Sequence, residues 1–218
     1  MKIMGFHEEC LEKSSAVWKA ILAHPFLKET AECRIPDPVF ANWLQQDYLF
    51  VRGGVRFIAT LAGRAPEAVA LKLAAAIPAL EAELELFGRM AAEKQIRLGN
   101  VTIAPTCHAY IQFLLATAHA ASFEEGFTLL YGAEKAYLDS WQWVRENLTG
   151  VSPWQAFIER WSGAEFRQWV SWIEVTLDEL AEEASVSLRA RMVEIFWLTA
   201  QYELRFWEMA YRGETWGV

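Results

Sequence analysis

The sequence contains few cysteines and no long apolar segment, and both absences limit the kind of protein it can encode. Its three cysteines are Cys10, Cys33 and Cys107, and no C-x-x-C pair occurs. Such a small, odd number suits a reducing compartment and does not favour a structural zinc site. No apolar run reaches the roughly 18 to 20 residues of a membrane-spanning helix. Charges interrupt the first residues too early for a secretory signal. We therefore expect a cytoplasmic protein.

Positive charge is also scarce. The chain has 20 Lys and Arg residues against 28 Asp and Glu residues, which gives a formal net charge of -8. A protein that binds duplex nucleic acid needs Lys and Arg to replace the counterions of the phosphates. The sequence has no basic run and no basic amphipathic helix of the kind that binds a membrane surface. We therefore expect neither a nucleic-acid partner nor a membrane partner.

Signals for β-strands are missing as well. Alternation of apolar and polar residues is absent, and so are hairpin dipeptides such as Asn-Gly. In their place, 54% of the residues are hydrophobic, 11 are tryptophan, and apolar residues recur with a helical period. Long helices with short connections predict a compact all-α bundle, and 218 residues are enough for one domain with a large core. We expect a single domain over residues 1–218.

The predicted helices follow from this period and from capping residues. Asp37 and Pro38 have the character of an N-cap and a first helical residue, and Ser122 with Glu125 forms a capping-box pattern. Pro78 predicts a kink. The predicted helical ranges are 7–24, 38–63, 65–96, 106–121, 122–148, 154–161, 164–184 and 186–212.

Asp47 is the first carboxylate that stands among apolar residues. It lies in the middle of the second predicted helix and shares a face with Phe50 and Gly54. Gly53 and Gly54 each cost about 1 kcal/mol relative to alanine inside a helix. Such a pair indicates the close approach of another backbone or a ligand, or a local kink. Asp47 has either a functional role or a salt bridge to Arg52 or another base.

Glu134 and Glu203 are two further carboxylates with aromatic neighbours. Glu134 shares a helix face with Tyr137 and Trp141, and Glu203 precedes Phe206 by three residues in an aromatic stretch. Because a buried carboxylate needs a partner or a raised pKa, a glutamate in such a stretch is a candidate functional residue. The ordinary alternative for Glu134 is a partly exposed helix, with the carboxylate in water or paired with a Lys or Arg.

Motifs for metals and phosphates are absent. The chain has no Gly-rich phosphate loop, no G-x-S-x-G elbow and no Glu-x-x-His pattern of the di-iron proteins. His24 could bind haem, although a histidine just before Pro25 is more simply a helix terminus. His108 and His119 are expected to be partly buried residues rather than ligands. We expect no metal ion and no organic cofactor.

Four segments, in this order and at this spacing, resemble the TenA/thiaminase II family: HPFLKE, LQQDYLF, APTCHAYIQFLL and YELRFWEMAY. The resemblance covers nearly the whole chain, and the last segment is its most specific part. It implies the haem-oxygenase-like helical fold. It also implies binding of aminopyrimidines, hydrolysis of thiamin or its degradation products for salvage, and a homo-oligomer, either a dimer or a tetramer.

The resemblance also implies roles for individual residues. Asp47 matches the acid that holds the amino group and ring nitrogen of the pyrimidine, and Tyr110 matches a pocket tyrosine. Glu203 matches the catalytic glutamate, and Phe206 matches a phenylalanine that stacks on the ring. With the helix faces described above, the expected catalytic residues are Glu134 and Glu203, and the expected substrate-binding residues are Asp47, Phe50, Tyr110, Tyr137 and Phe206.

The sequence departs from the family at one position. Members with a catalytic cysteine have a motif that begins L-P-C, and this chain has Gly132 in the place of the cysteine. The pattern Y-x-x-E-x-x-Y, formed by Tyr131, Glu134 and Tyr137, resembles instead the branch without this cysteine, called TenA-E. That branch is associated with hydrolysis of formylaminopyrimidine and aminopyrimidine rather than of thiamin. Cys107 is the one substitute nucleophile in reach of Tyr110, or else a small core residue.

The sequence therefore predicts an aminopyrimidine hydrolase of thiamin salvage. We expect Asp47, Tyr110, Glu134 and Glu203 to converge on one enclosed pocket, although they lie on four predicted helices. Two alternatives come from other classes of protein. One is a non-catalytic aminopyrimidine-binding or regulatory protein, and the other is a haem or iron redox protein of the same fold.

Overall fold

The computed structural model describes residues 4–217, and these residues contain ten α-helices and no β-strand. The all-α prediction is therefore confirmed over the described part of the chain. The helices are α1 (Phe6–Lys13), α2 (Ser15–Leu22), α3 (Pro25–Ala31), α4 (Asp37–Ala62), α5 (Glu67–Glu93), α6 (Pro105–Ala120), α7 (Phe123–Glu146), α8 (Gln155–Ser162), α9 (Ala164–Glu183) and α10 (Val186–Arg212).

Contacts between residues divide the described chain into two units. The first unit contains residues 4–35 and 127–208, and the second contains residues 36–126 and 209–217. Helices α4, α5 and α6 lie in the second unit, whereas most of α7 and α10 lies in the first. The expectation of a single domain over residues 1–218 remains a prediction.

The N-terminal helices differ from the predicted range 7–24. Ser14 separates α1 from α2, and a third helix, α3, begins at Pro25, where no separate helix was predicted. Proline is suited to the first turn of a helix, because the N–H that it lacks has no partner there. His24 is the N-cap of α3, and its Nδ1 accepts a hydrogen bond from the Phe26 amide at 3.2 Å.

The boundaries of the longer helices agree closely with the sequence. Helix α4 begins one residue earlier than predicted, so Asp37 is its first residue rather than its cap. Pro78 lies inside α5 as expected. The capping box before α7 is confirmed. The Ser122 amide donates to Glu125 Oε2 at 3.0 Å, and the Glu125 amide donates to Ser122 Oγ at 3.2 Å.

The segment after α10 holds the beginning of α6 within the second unit. Gly213 has φ +69°, a left-handed conformation that glycine adopts without strain. Beyond it, Glu214 Oε2 accepts a hydrogen bond from the Thr106 amide at 2.8 Å, and Trp216 Nε1 donates to the Ile103 carbonyl at 2.7 Å. A carboxylate at a helix N-terminus is favourable both as a cap and towards the helix dipole.

Among residues 4–217, we find no helix that combines the length and the apolar character needed to cross a membrane.

Candidate functional site

Asp47 is completely buried in the second unit, on the side of α4 that faces the core. Its side chain is 0% exposed, and the preceding Gln46 is 4% exposed. Burial of a carboxylate is costly unless its surroundings compensate the lost hydration. Arg52, the sequence-based candidate for a salt bridge, is exposed, and its guanidinium carbon lies 5.9 Å from the centroid of the Tyr48 ring.

Gln46 joins α4 to the segment that leads into α6. Its Nε2 donates to the Thr102 carbonyl at 3.1 Å, and its Oε1 accepts from the Ala104 amide at 2.8 Å. Its backbone carbonyl also accepts a hydrogen bond from Cys107 Sγ at 3.4 Å. These three hydrogen bonds fix the beginning of α6 beside the part of α4 that carries Asp47.

Two predicted substrate-binding residues of this unit are in direct contact. The rings of Phe50 on α4 and Tyr110 on α6 have centroids 4.7 Å apart and planes inclined by 39°. Close approach of the two helices follows one turn later, where an ideal Cβ placed on Gly53 would lie 2.9 Å from Cγ2 of Ile111. Gly53 therefore permits a close helix contact, as the sequence indicated. A Cβ on Gly54 would meet open space.

Cys107 is buried in the same region, and it does not have the properties of a nucleophile. Burial raises the pKa of its thiol well above the ordinary range, and the charge of Asp47 adds to the effect. A nucleophilic cysteine requires the opposite shift, because the thiolate is the reactive form. The thiol is instead engaged as a hydrogen-bond donor to Gln46, which agrees with its interpretation as a core residue.

In the first unit, α7 and α10 lie side by side. Tyr131 stacks on Phe196 with ring centroids 5.5 Å apart, and Tyr137 stacks on Trp207 with centroids 5.6 Å apart. Between these pairs, Gly132 packs against Thr199. Later residues of α7 thus contact later residues of α10, so the two helices run in the same direction along this contact.

Glu203 and Phe206 lie on the part of α10 that this contact holds. Both side chains are 1% exposed. Glu203 follows Thr199 by one turn and precedes Trp207 by one turn, so it lies between the two contacts with α7. Its burial agrees with the sequence-based interpretation of a carboxylate among aromatic residues.

Glu134 and Tyr137 occupy the facing region of α7, with different degrees of burial. Tyr137 is buried, and its ring also meets Trp161 edge-on, with centroids 5.6 Å apart. Glu134 is half-buried. The adjacent Lys135 pairs with Asp139 at 2.8 Å and lies 3.7 Å from Glu174.

Tyr131 completes the Y-x-x-E-x-x-Y pattern. Its hydroxyl donates to Glu174 Oε1 at 3.5 Å. Burial, followed by the negative charges of Glu174 and Asp139, raises the pKa of Tyr131 far above its usual value. Tyr131 is therefore a neutral hydrogen-bond donor.

The three histidines considered from the sequence do not form a metal or haem site in the described part of the chain. His24 Nδ1 accepts the Phe26 amide, so its ring proton is on Nε2, which donates to Glu208 Oε2 at 3.0 Å. With both ring nitrogens engaged, His24 fits a helix terminus better than a haem ligand. His108 and His119 are exposed rather than partly buried. No group of three or more His, Cys, Asp or Glu side chains that could hold a metal ion occurs in the described part of the chain.

The predicted site residues thus fall into two sets. Asp47, Phe50 and Tyr110 lie in the second unit, and Glu134, Tyr137, Glu203 and Phe206 lie in the first. Their roles, and the single pocket expected from the sequence, remain predictions.

Sequence reasoning missed two residues that hold these sets in place, Gln46 and Thr199. The only available signal for Gln46 was its position directly before Asp47 in the sequence. Nothing in the sequence marked Thr199.

A model of the TENA/THI-4/PQQC family matches residues 11–213 of the chain. The aminopyrimidine aminohydrolase of Bacillus subtilis (strain 168) is 27% identical over 222 residues, which cover 98% of this chain and 92% of that protein.

Solved structures give the same picture. A TenA homologue from Pyrococcus furiosus is 41% identical and matches with a TM-score of 0.92, covering 94% of this chain and 100% of that one. A Shewanella denitrificans domain of unknown function with a haem-oxygenase-like fold is 12% identical, with a TM-score of 0.75 over 94% of this chain and 91% of that one. The second likeness concerns the fold alone, and it confirms the predicted haem-oxygenase-like architecture.

Proposed function

Because the chain belongs to the TENA/THI-4/PQQC family, we propose that it is an aminopyrimidine aminohydrolase that hydrolyses a C–N bond of pyrimidines released by thiamin degradation. The observation that carries this proposal is the likeness to the Bacillus subtilis aminopyrimidine aminohydrolase over 98% of the chain. The buried carboxylates Asp47 and Glu203 support it, because each lies beside aromatic residues that could hold a flat ring.

In this proposal, Asp47 accepts a hydrogen bond from the 4-amino group of the ring and fixes its orientation. The rings of Phe50, Tyr110, Tyr137 and Phe206 provide the aromatic surfaces that hold the pyrimidine. Aromatic side chains suit this task, because offset stacking and edge contacts favour a planar ligand in a defined orientation.

Glu134 and Glu203 carry out the proton transfers. Glu134 removes a proton from water, and the water oxygen bonds to the exocyclic methylene carbon of the amine substrate. The C–N bond breaks as Glu203 delivers a proton to the nitrogen, and ammonia leaves. Such acid–base assistance contributes typically about 10²- to 10⁴-fold to a rate. The substrate is N-formyl-4-amino-5-aminomethyl-2-methylpyrimidine or the deformylated amine.

We place the chain in the TenA-E branch, which lacks the catalytic cysteine. Gly132 occupies the position of that cysteine, and the buried thiol of Cys107 stays protonated because its pKa is raised. We therefore expect thiamin to be a poor substrate, and C107S to leave hydrolysis of the amine unchanged. Rapid thiamin cleavage that C107S abolishes would contradict the first expectation and the interpretation of Cys107 as a core residue, and loss of amine hydrolysis in C107S would contradict the second.

The direct test compares three candidate substrates with the purified protein. The amine, its N-formyl derivative and thiamin are incubated separately, and the hydroxymethylpyrimidine product is measured by chromatography. We expect turnover of the amine or its formyl derivative, loss of turnover in E203Q, and normal turnover in E81Q, whose exposed glutamate on α5 provides a matched control. Tight binding of the amine without any product would indicate the non-catalytic alternative.

Two further expectations from the sequence belong to this proposal. We propose a homo-oligomer, a dimer or a tetramer, which light scattering coupled to gel filtration would test. A cytoplasmic location is the second expectation, and fractionation of the source cells would test it.

A further inference from the structure

The contact between Gly132 and Thr199 is closer than an ordinary helix contact. An ideal Cβ placed on Gly132 would lie 2.7 Å from Cγ2 and 3.0 Å from Cβ of Thr199, and 3.5 Å from the Phe196 ring. Real Cβ atoms essentially never lie within 3.0 Å of another side chain. Position 132 is therefore compatible with glycine and with no larger residue, unless α7 and α10 separate or Thr199 moves.

Thr199 cannot easily move. It is completely buried, and its Oγ1 donates to the Ile195 carbonyl at 2.8 Å. Threonine is branched at Cβ, so this hydrogen bond also fixes the direction of the Cγ2 methyl group. The methyl group is thereby held against Gly132, and the spacing of the two helices depends on it.

This contact lies one turn from Glu203. Thr199 and Glu203 are four residues apart, so they project from the same face of α10. One turn beyond Glu203, Trp207 stacks on Tyr137 of α7. The segment of α10 that carries Glu203 is therefore held against α7 at both ends, by the glycine contact on one side and by the ring stack on the other.

We propose that Gly132 and Thr199 are positioning residues for Glu203, and this inference rests on the proposed function. Their contact sets the distance between α7 and α10 at the level of the glutamate, and so it sets where the proton donor stands. A displacement of about 1 Å can cost about 10²-fold in rate when a reaction depends on the orientation of a catalytic group. Neither residue needs to touch the substrate.

The test uses variants that add a methyl group on one side of the contact and remove one from the other side. G132A adds a methyl group on α7, T199S removes the facing one from α10 and keeps the hydroxyl, and the double variant G132A/T199S makes both changes. For each variant, kcat for the amine is measured, together with affinity for the hydroxymethylpyrimidine product. G88A provides a matched control, because Gly88 lies inside α5 and a Cβ there would meet nothing within 4 Å.

We expect G132A to lower kcat by about 10- to 100-fold, with product affinity within about 2-fold of wild type. T199S should lower kcat by a few-fold, and the double variant should be faster than either single variant. A purely structural contact would change the amount of folded protein and leave kcat per product-binding site unchanged. G88A should match wild type in both quantities.

The inference is overturned if G132A keeps wild-type kcat per binding site, or if the double variant is no faster than the singles. Should G132A alone fail to fold, the comparison of the double variant with T199S decides, because a double variant that is not faster than T199S contradicts the inference. A wild-type protein that hydrolyses neither substrate overturns the proposed function, and this inference with it. An active wild type that is insensitive to these variants overturns the inference alone.

Discussion

The indole of Trp207 stacks on the ring of Tyr137, with centroids 5.6 Å apart and planes inclined by 25°. Trp161 meets the same tyrosine edge-on, at 5.6 Å and 79°. Offset stacking and edge contacts are the two favoured geometries of aromatic pairs. Tyr137 is thus fixed from two directions, three residues after Glu134.

Two replacements of Tyr137 should distinguish the contribution of its ring to stability from the contribution of its hydroxyl. We expect Y137A to lower the free energy of unfolding by about 3 kcal/mol, because it leaves a cavity between two indoles. Y137F keeps both ring contacts and should cost less than about 1.5 kcal/mol. Urea denaturation measures both. Equal stability of the two variants would mean that the ring contacts contribute little.

The two glutamates should behave as one catalytic pair. E134Q and E203Q keep the shape of the side chain and lose the proton transfer. We therefore expect kcat to fall by about 10²- to 10⁴-fold in each, with little change in substrate affinity. The double variant should be little worse than the poorer single one, because groups that act in one step are not additive. Single-turnover hydrolysis with a parallel binding measurement tests this. Full activity of E134Q would leave Glu134 as a structural residue.

Asp47 should respond differently from the glutamates. D47N turns part of an acceptor into a donor, so it should weaken binding of the aminopyrimidine as well as kcat through lost orientation. Isothermal titration calorimetry measures the affinity of D47N and of E203Q for the amine. Weaker binding in D47N than in E203Q would distinguish a substrate anchor from a proton donor. Wild-type affinity in D47N would remove Asp47 from substrate binding.

Cys10 should make stability depend on alkaline pH. Burial, with a smaller effect of the Glu9 charge, raises the pKa of its thiol from about 9 to about 12. Between these values the unfolded chain loses the proton and the folded protein keeps it, so the stabilisation present below pH 9 is lost as the pH rises towards 12. The difference in free energy of unfolding between wild type and C10A should fall by at most about 1.4 kcal/mol per pH unit in this range.

C33A is the matched control for that experiment, because Cys33 is only half-buried. Urea titrations between pH 7 and pH 11 give the three stabilities. If the difference between wild type and C10A stays constant with pH, the thiol of Cys10 is not held protonated by the fold.

Long helices were predictable because a sustained apolar period needs no tertiary information. The range 186–212 agrees with α10 at both ends, and α4 differs from its predicted range by one residue at each end. The N-terminal region was predicted less well, because Pro25 was interpreted as the end of a helix or a kink in it, whereas it is the first residue of α3. Ser14, which divides α1 from α2, is buried, and no local signal in the sequence marks it as a break between helices.

The candidate site was predictable only where a charged residue stands among apolar residues in the sequence. Asp47 and Glu203 were singled out as carboxylates among apolar residues, and the fold buries both. Gln46 and Thr199 could not be found in this way, because their importance lies in contacts with residues 58 and 67 positions away. Such contacts depend on how the helices pack, and the periodicity of one helix does not specify them.

Because the Ala104 amide donates its hydrogen bond to the side chain of Gln46, its hydrogen exchange reports on that single contact. Ala104 precedes the first residue of α6, so its N–H belongs to no helical hydrogen bond, and the side chain of Gln46 alone protects it. Its exchange with deuterated water therefore requires only that the hydrogen bond to the Gln46 side chain breaks. The exchange rate of this single amide would therefore report how readily the Gln46 side chain releases the start of α6 while the helices themselves stay intact.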